Sequence, residues 1–506
     1  MATTLPDRPD LDQLRRRARE LQRAASAGGP DAVALLTRHL GALPAGPVPL
    51  HLAQLALARD AGFPSWPRLV TQLRAVQSAT RDPLRPPPTA PDPLSDLLRS
   101  AVLRFGSDDG PASWEHAASV LSAHPELPAA DVHAAAVTAD VDGLRGHLRR
   151  DARAAKAEGG PFGWPPLLHL AFSRLALVGV PGNPVAALDL LLAAGADAAA
   201  GYCWQGFTPP FTALAGVLGG GEGGQPAHPQ APALAERLLV AGADANDGQA
   251  LYNRMFGPAD DHLDLLLRHG LGRGDGGRWR RRLPDLVDAP DALLATQLAW
   301  AVVHDRRQRI RLLAANGVDL DRPVTGRLPA AAGRTPLQLA RRAGRPAVVA
   351  LLTSLGARAD DDPEGELVLA LLTGDEAAVS RRLTADPDAL PALRTTAPSL
   401  VLRAAVADQP GGVRLLARLG FDVDALGRQD VPMEEPWETA LHHAAGAGKE
   451  DLVRLLLTLG ADPEIRDRRF DATPLEWARH LGRPGTADVL ARVTRVEEPT
   501  GPSSPG

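Results

Sequence analysis

The chain has 506 residues, of which 44% are hydrophobic, 23% charged and only 4% aromatic, with a formal net charge of −5. That is enough material for several domains or one long array, and it lacks the positive excess that would draw a whole chain to nucleic acid or an anionic membrane. A single cysteine, Cys203, excludes an intramolecular disulfide framework and a cysteine-rich zinc site.

Residues 1–10 lack the basic and then apolar run of a secretory signal, so a cytoplasmic setting is expected. In residues 1–77 the string LDQLRRRARELQRAA places Leu11, Leu14, Ala18 and Leu21 on one helical face. A second helix is predicted after Asp31, a third over LHLAQLALARDAG, and a fourth after Ser65. The third and fourth, joined at GFPSW with Arg15, Arg16, Arg17 and Arg19 nearby in sequence, read either as a small helical bundle or as a helix-turn-helix. Residues 78–93, rich in proline, predict a semi-rigid linker, and residues 94–128 predict helices that cap a downstream array.

From residue 129 to 493 the chain repeats itself. The first copy is DVHAAAVTADVDGLRGHLRRD from Asp131. Degenerate copies end at Asp197, Asp244, Gly270 and Asp319, and the apolar stretch from Leu167, broken by His169 and Arg174, is too short to span a bilayer. A clear copy, RTPLQLARRAGRPAVVALLTSLGARAD, starts at Arg334; two more fill Glu366 to Asp422; the clearest starts at Glu438 and the last at Ala472. Thr439 and Thr473 are N-cap residues 34 positions apart. Pro336 and Pro474 sit at first helical positions, Leu452, Val453, Leu455 and Leu456 form an apolar stripe, and Gly460 terminates it. One such helical pair cannot bury its own apolar faces, so neighbours must complete the core. Three insertions, Gly219–Pro232, Leu271–Pro290 and Leu426–Pro436, predict surface loops, and residues 494–506 a disordered tail.

Cap, turn and terminator recurring in this order resemble the ankyrin repeat, with its T-P-L-H-x-A-A core and closing G-A-D. The resemblance implies an all-α fold, an ankyrin-type α-solenoid of about ten helical hairpins preceded by a small helical module. Gly62, Phe63, Ser65 and Trp66 resemble a G-F-x-S-W module found ahead of repeats in bacterial ankyrin proteins, and the stretch from Leu94 resembles uncharacterised actinobacterial ankyrin proteins. The two lysines, Lys156 and Lys449, against a large arginine excess fit a GC-rich bacterial genome.

Strings that imitate catalytic motifs lack the spacing the chemistry needs. GAGKED around Lys449 has neither the gap nor the hydroxyl of a phosphate-binding loop, and the glycine run at Gly219 follows no strand. No catalytic, cofactor or metal residues are expected. The family resemblance makes His169 and His442 structural ties between neighbouring loops. His442 and His443 point about 100° apart on a helix, which is poor for joint metal ligation. Asp360, Asp361 and Asp362 precede a helix start and favour its positive end. The RWRRR string, Arg278 to Arg282, reads as a solvated loop or as a phosphate and base contact.

The residue after the repeat histidine holds Leu170, Trp300, Leu339, His443 and Trp477. The resemblance places this position toward the concave groove, so the series reads as a row of partner-binding anchors, tryptophan being enriched in hot spots, or as rings turned into the core. The expected function is a non-catalytic, monomeric scaffold for a protein partner of unknown identity, with no membrane or nucleic-acid partner. The alternative is a DNA-associated regulator using the N-terminal module.

Overall fold

The computed structural model describes residues 11–44, 46–86, 91–206, 209–324, 331, 333–427 and 436–494. The fold is all-α and of ankyrin type, with hairpins stacked side by side; among the described residues only three short strands occur. The chain divides into two compact units, Met1–Leu293 and Leu294–Gly506.

The first unit begins with α1 (Leu11–Ser26), α2 (Pro30–Leu40), α3 (Leu50–Asp60) and α4 (Trp66–Ala79), where α3 packs on the other three. The G-F-x-S-W signature has a local cause here. Gly62 takes φ +83 to end α3, Phe63 plugs the cluster formed by Leu14, Ala58, Leu69 and Leu73, and the Ser65 hydroxyl accepts from the Arg68 N–H to start α4. Next come α5 (Pro93–Ser100), α6 (Pro111–Ala123) and the short α7 (Leu127–Ala130); α5 packs on α6 and on the first hairpin.

Four hairpins come next: α8 (Val132–Val137) with α9 (Val141–Arg150), α10 (Pro166–Phe172) with α11 (Pro184–Ala193), α12 (Ala213–Leu218) with α13 (Ala231–Val240), and α14 (Gly248–Met255) with α15 (Asp261–Arg268). Their first helices stack in sequence order, α8 on α10 on α12 on α14, and α9, α11 and α13 do the same behind them. Strand β1 (Thr80–Arg81) pairs in parallel with β2 (Gly201–Trp204), which pairs antiparallel with β3 (Phe211–Thr212). A short helix, α16 (Gly277–Arg282), closes the unit.

Among the described residues six hairpins form the second unit, starting with α17 (Pro290–Val303), which enters it at Leu294, and α18 (Arg307–Ala315). Then come α19 (Pro336–Arg342) with α20 (Pro346–Ser354) and α21 (Pro363–Thr373) with α22 (Glu376–Ala385), and an additional helix α23 (Ala389–Thr396). The last three pairs are α24 (Leu400–Val406) with α25 (Pro410–Arg418), α26 (Ala440–Gly446) with α27 (Glu450–Thr458), and α28 (Pro474–His480) with α29 (Pro484–Ala491). Thr335, Thr439 and Thr473 each close a reciprocal capping box with the residue three positions on. The core between stacked pairs is mainly Leu, Ala and Val, for example Leu371, Leu400, Ala404, Leu441, Ala444, Val453 and Leu490. Asp362 caps α21 by accepting from the Gly365 N–H at 3.0 Å, as its place before a helix start predicts, and it also holds Arg342 at 2.7 Å.

Two insertions expected as surface loops are packed in part, with Glu222, Gly223 and Gly224 of the first and Arg273, Gly274 and Asp275 of the second left exposed. In the first, Gly219 and Gly221 are buried, and a Cβ on Gly219 would meet the Pro226 carbonyl at 2.5 Å. The organiser is Arg174, which is fully buried and donates to the carbonyls of Pro226 (2.9 Å), Ser173 (2.9 Å) and Gly216 (2.7 Å). Burial pushes its pKa down to about 9, which leaves it charged at pH 7. In the second insertion, Leu283 and Val287 are buried against Val76, Ala79 and Cys203. The stretch 78–93, expected as a spacer, is docked over its first part: β1 joins the sheet, and Arg81 bonds the Gly163 carbonyl (3.3 Å) and Glu158 (2.8 Å). Residues 87–90 of that stretch, 428–435 of the third insertion and 495–506 of the tail lie outside the described residues.

Replacing Arg174 with Met strands two buried carbonyls and a half-buried one, at an expected cost of about 3 kcal/mol or more. The measurement is the urea midpoint, with hydrogen exchange across residues 216–228. Unchanged protection there would contradict the organising role of Arg174.

Candidate partner-binding surface

The surface available to a partner is set by what ties each hairpin to the next. At α26 the Thr439 N–H donates to His442 Nδ1 (3.3 Å), which leaves Nε2–H to donate to the Ala472 carbonyl (3.0 Å) one repeat on. This is the loop tie expected of His442. Burial lowers its pKa and favours the neutral ring that this arrangement requires. In the first unit His133 makes the tie, to the Ala157 carbonyl at 2.9 Å. His169 is fully buried against the rings of His133, Phe162 and Trp164, and its nitrogens have no well-formed hydrogen bond, only a loose approach to the Gly159 backbone.

A second set of ties runs through the tight turns inside the hairpins. Arg345 Nε donates to the Val303 carbonyl (3.0 Å) and Arg483 Nε to the Gly446 carbonyl (3.1 Å), each reaching back to an earlier hairpin. Lys449, in the string that imitates a phosphate loop, pairs with Asp408 at 3.0 Å in the same manner. Gly448, at φ +72, makes that turn possible.

The predicted row of anchors does not stand out as an exposed strip. Leu170, Trp300 and Leu339 are buried, at 1%, 7% and 4% exposure. Leu170 lies in α10, a helix flanked by α8 and α12, while Trp300 stacks on His304 with centroids 3.6 Å apart. Stacked first helices cover this position on both sides, so a large apolar residue there becomes core. His443 and Trp477 remain half-buried.

Trp477 belongs to a cluster that the repeat position did not reveal. Its ring lies 5.1 Å from Trp437 and 6.2 Å from Phe470, and Arg469 lies over both Trp437 (5.6 Å) and Phe470 (5.4 Å). Asp467 fixes the base of this tip. One carboxylate oxygen accepts from the N–H groups of Arg469 (2.8 Å) and Phe470 (2.6 Å), the other from the Ala472 N–H (3.1 Å) and Trp477 Nε1 (3.0 Å). Phe470 is thereby held outward at 62% exposure on a tip that cannot easily collapse. The available signal was the aromatic residue in the R-R-F string between a G-A-D terminator and the next Thr cap, where a loop tip has nothing of its own to bury.

The basic features resolve differently. α16 carries RWRRR as a helix, not as a solvated loop: Arg278 pairs with Asp197, Arg281 with Asp275 at 2.8 Å, and Trp279 Nε1 donates to the Ala199 carbonyl at 3.0 Å. On α4, the candidate recognition helix, Arg68 (2.7 Å) and Gln72 (3.2 Å) both bond Asp285. Cys203 is buried, and burial raises its thiol to about 11, so it stays protonated. Among the described residues no group of three His, Cys, Asp or Glu side chains is placed to hold a metal ion, and no helix is long and apolar enough to cross a membrane.

Residues 437–468 match the family model for the ankyrin repeat. Comparison with curated proteins gives no match to the chain. The matched segment carries Trp437 and Asp467, and ends just before Arg469 and Phe470.

His443 has its pKa pushed down to about 4, first by burial and then by the charge of Lys449. The folded state therefore favours the neutral ring, and this contribution to stability is present above the unfolded value near 6.5 and lost as pH falls toward 4. Replacing His443 with Gln should remove up to about 3 kcal/mol of the stability lost across that window. Denaturant titrations at pH 7 and pH 4.5 measure it; an unaltered difference between the two pH values would show that the His443 ring is not desolvated in the folded state.

Proposed function

We propose that the chain is a non-catalytic scaffold that holds a protein partner on the hairpin tips and first helices of its ankyrin-type repeats. The contact platform is Phe470 and Trp477 with Arg469, set on the buried ring of Trp437. The observation that carries this reading is the outward Phe470 on a base locked by Asp467. Burying a large ring that is already held in place adds apolar contact with little ordering cost, which is the condition under which a few residues dominate an interface. Within the repeat-position series His443 and Trp477 stay in this reading, and Leu170, Trp300 and Leu339 support it from the interior. We place the scaffold in the cytoplasm as a monomer.

A DNA-associated regulator is the second reading. It draws on the exposed Arg15, Arg16 and Arg19 of α1. It is the weaker of the two because Arg68 and Gln72 on α4 are already engaged by Asp285. A gel shift that weakens steeply with added salt would favour it.

The test begins with cross-linking and mass spectrometry to identify the partner, and then measures affinity with the wild type and Phe470→Ala. Because Phe470 is exposed, the variant should melt as the wild type does and bind about tenfold or more weakly, a loss of about 2 kcal/mol. Equal affinity for both proteins would remove the platform from the interface.

A further inference from the structure

The first unit contains a cleft of about 310 Å3 between the end of the N-terminal module and the repeat tips. Four cationic side chains line it from three separate places: Arg81 on β1, Lys156 at the end of the 3-10 turn Ala152–Lys156, and Arg278 and Arg282 on α16. Two carboxylates also line it. Glu158 pairs with Arg81 at 2.8 Å, and Asp197 pairs with Arg278. Lys156 has no carboxylate partner among the described residues. Arg282 donates to neutral acceptors, the Ser78 hydroxyl (2.7 Å) and the Ala75 carbonyl (3.4 Å), and lies 5.3 Å from the Trp279 ring centroid. The cleft thus holds a local surplus of two positive charges in a chain whose net charge is −5.

We propose that this cleft binds the dianionic oxygen cluster of a phosphate monoester. The surplus charge matches such a group. The two surplus donors are chemically suited to it: a lysine ammonium as a compact point charge and an arginine fork that is geometrically specific for oxyanions. Trp279, fixed by its bond to the Ala199 carbonyl, forms a rigid wall against which the group settles. A neighbouring cleft of about 470 Å3 shares Trp279 and Arg278 but is lined by Asp244, Asp247 and Asp275 beside Arg273 and Arg281, so it has no such surplus. The site lies on the seam where Ser78 and Arg81 of the N-terminal segment face Lys156 and α16 of the repeat region, so an occupant bridges the two and strengthens their docking. None of this depends on the aromatic platform of the second unit.

Calorimetric titration of the full chain at constant ionic strength tests the proposal, first with inorganic phosphate and then with a phosphoseryl peptide and its unphosphorylated counterpart. Saturable binding is expected, weakened at least about tenfold by Lys156→Gln and by Arg282→Gln and unchanged by Arg273→Gln in the neighbouring cleft. Lys156 is exposed, so Lys156→Gln should melt as the wild type does without ligand. Tighter binding of the phosphopeptide than of inorganic phosphate assigns the oxyanion to a modified protein side chain; the reverse order assigns it to a small phosphate compound. No saturable binding of either, or an equal loss in Arg273→Gln, overturns the proposal.

Discussion

Each pair of helices in this chain is too thin to have an inside. A helix such as α26, seven residues long, buries Ala440, Leu441, Ala444 and Ala445 only because α24 lies on one flank and α28 on the other. The small side chains are the condition for this, since a closely packed stack leaves no room for bulk between first helices. The need to keep that stack in register accounts for the other features: caps that start the helices at fixed points, turns bent at positive φ, and polar ties from one hairpin to the next.

Those ties explain why so many polar groups are buried. The N-cap Asp247 of α14 accepts from the Ala250 N–H at 2.9 Å and from the Thr212 hydroxyl, and burial raises its pKa to about 6. Arg174 spends its guanidinium on backbone carbonyls of three segments, and Asp467 accepts from four donors. A buried polar group with all its partners in place fixes one arrangement, because any shift of the stack leaves a donor or acceptor unmet.

The sequence made the stack legible where the cause is local. The caps at Thr439 and Thr473, the terminating Gly460 and the tie at His442 depend on residues close in sequence or on the repeat itself. The interactions that escaped are long-range. Nothing in the string GGGEGGQPAHPQAP announces that Arg174, 52 residues before Pro226, folds it against the core. Likewise RWRRR gave no sign that Arg282 would reach Ser78. The row of candidate anchors is buried at Leu170, Trp300 and Leu339 for a related reason. Spacing along a helix fixes which residues share a face, but whether that face is covered depends on how closely the neighbouring hairpin approaches. Phe470 was missed because it sits in a connection between repeats, where periodicity carries no information.

The pairing of β1 with β2 joins residues 80–81 to residues 203–204, and α4 also rests on Leu283 and Val287. On a ribosome the N-terminal helices therefore emerge long before the surface that receives them. At translation rates of 5–20 residues per second, roughly 10 to 40 s separate the appearance of Arg81 from that of Val287. Throughout that interval the flank carrying Val76 and Ala79 stays wet, and the nascent chain must wait for its own later portion before the first unit can close.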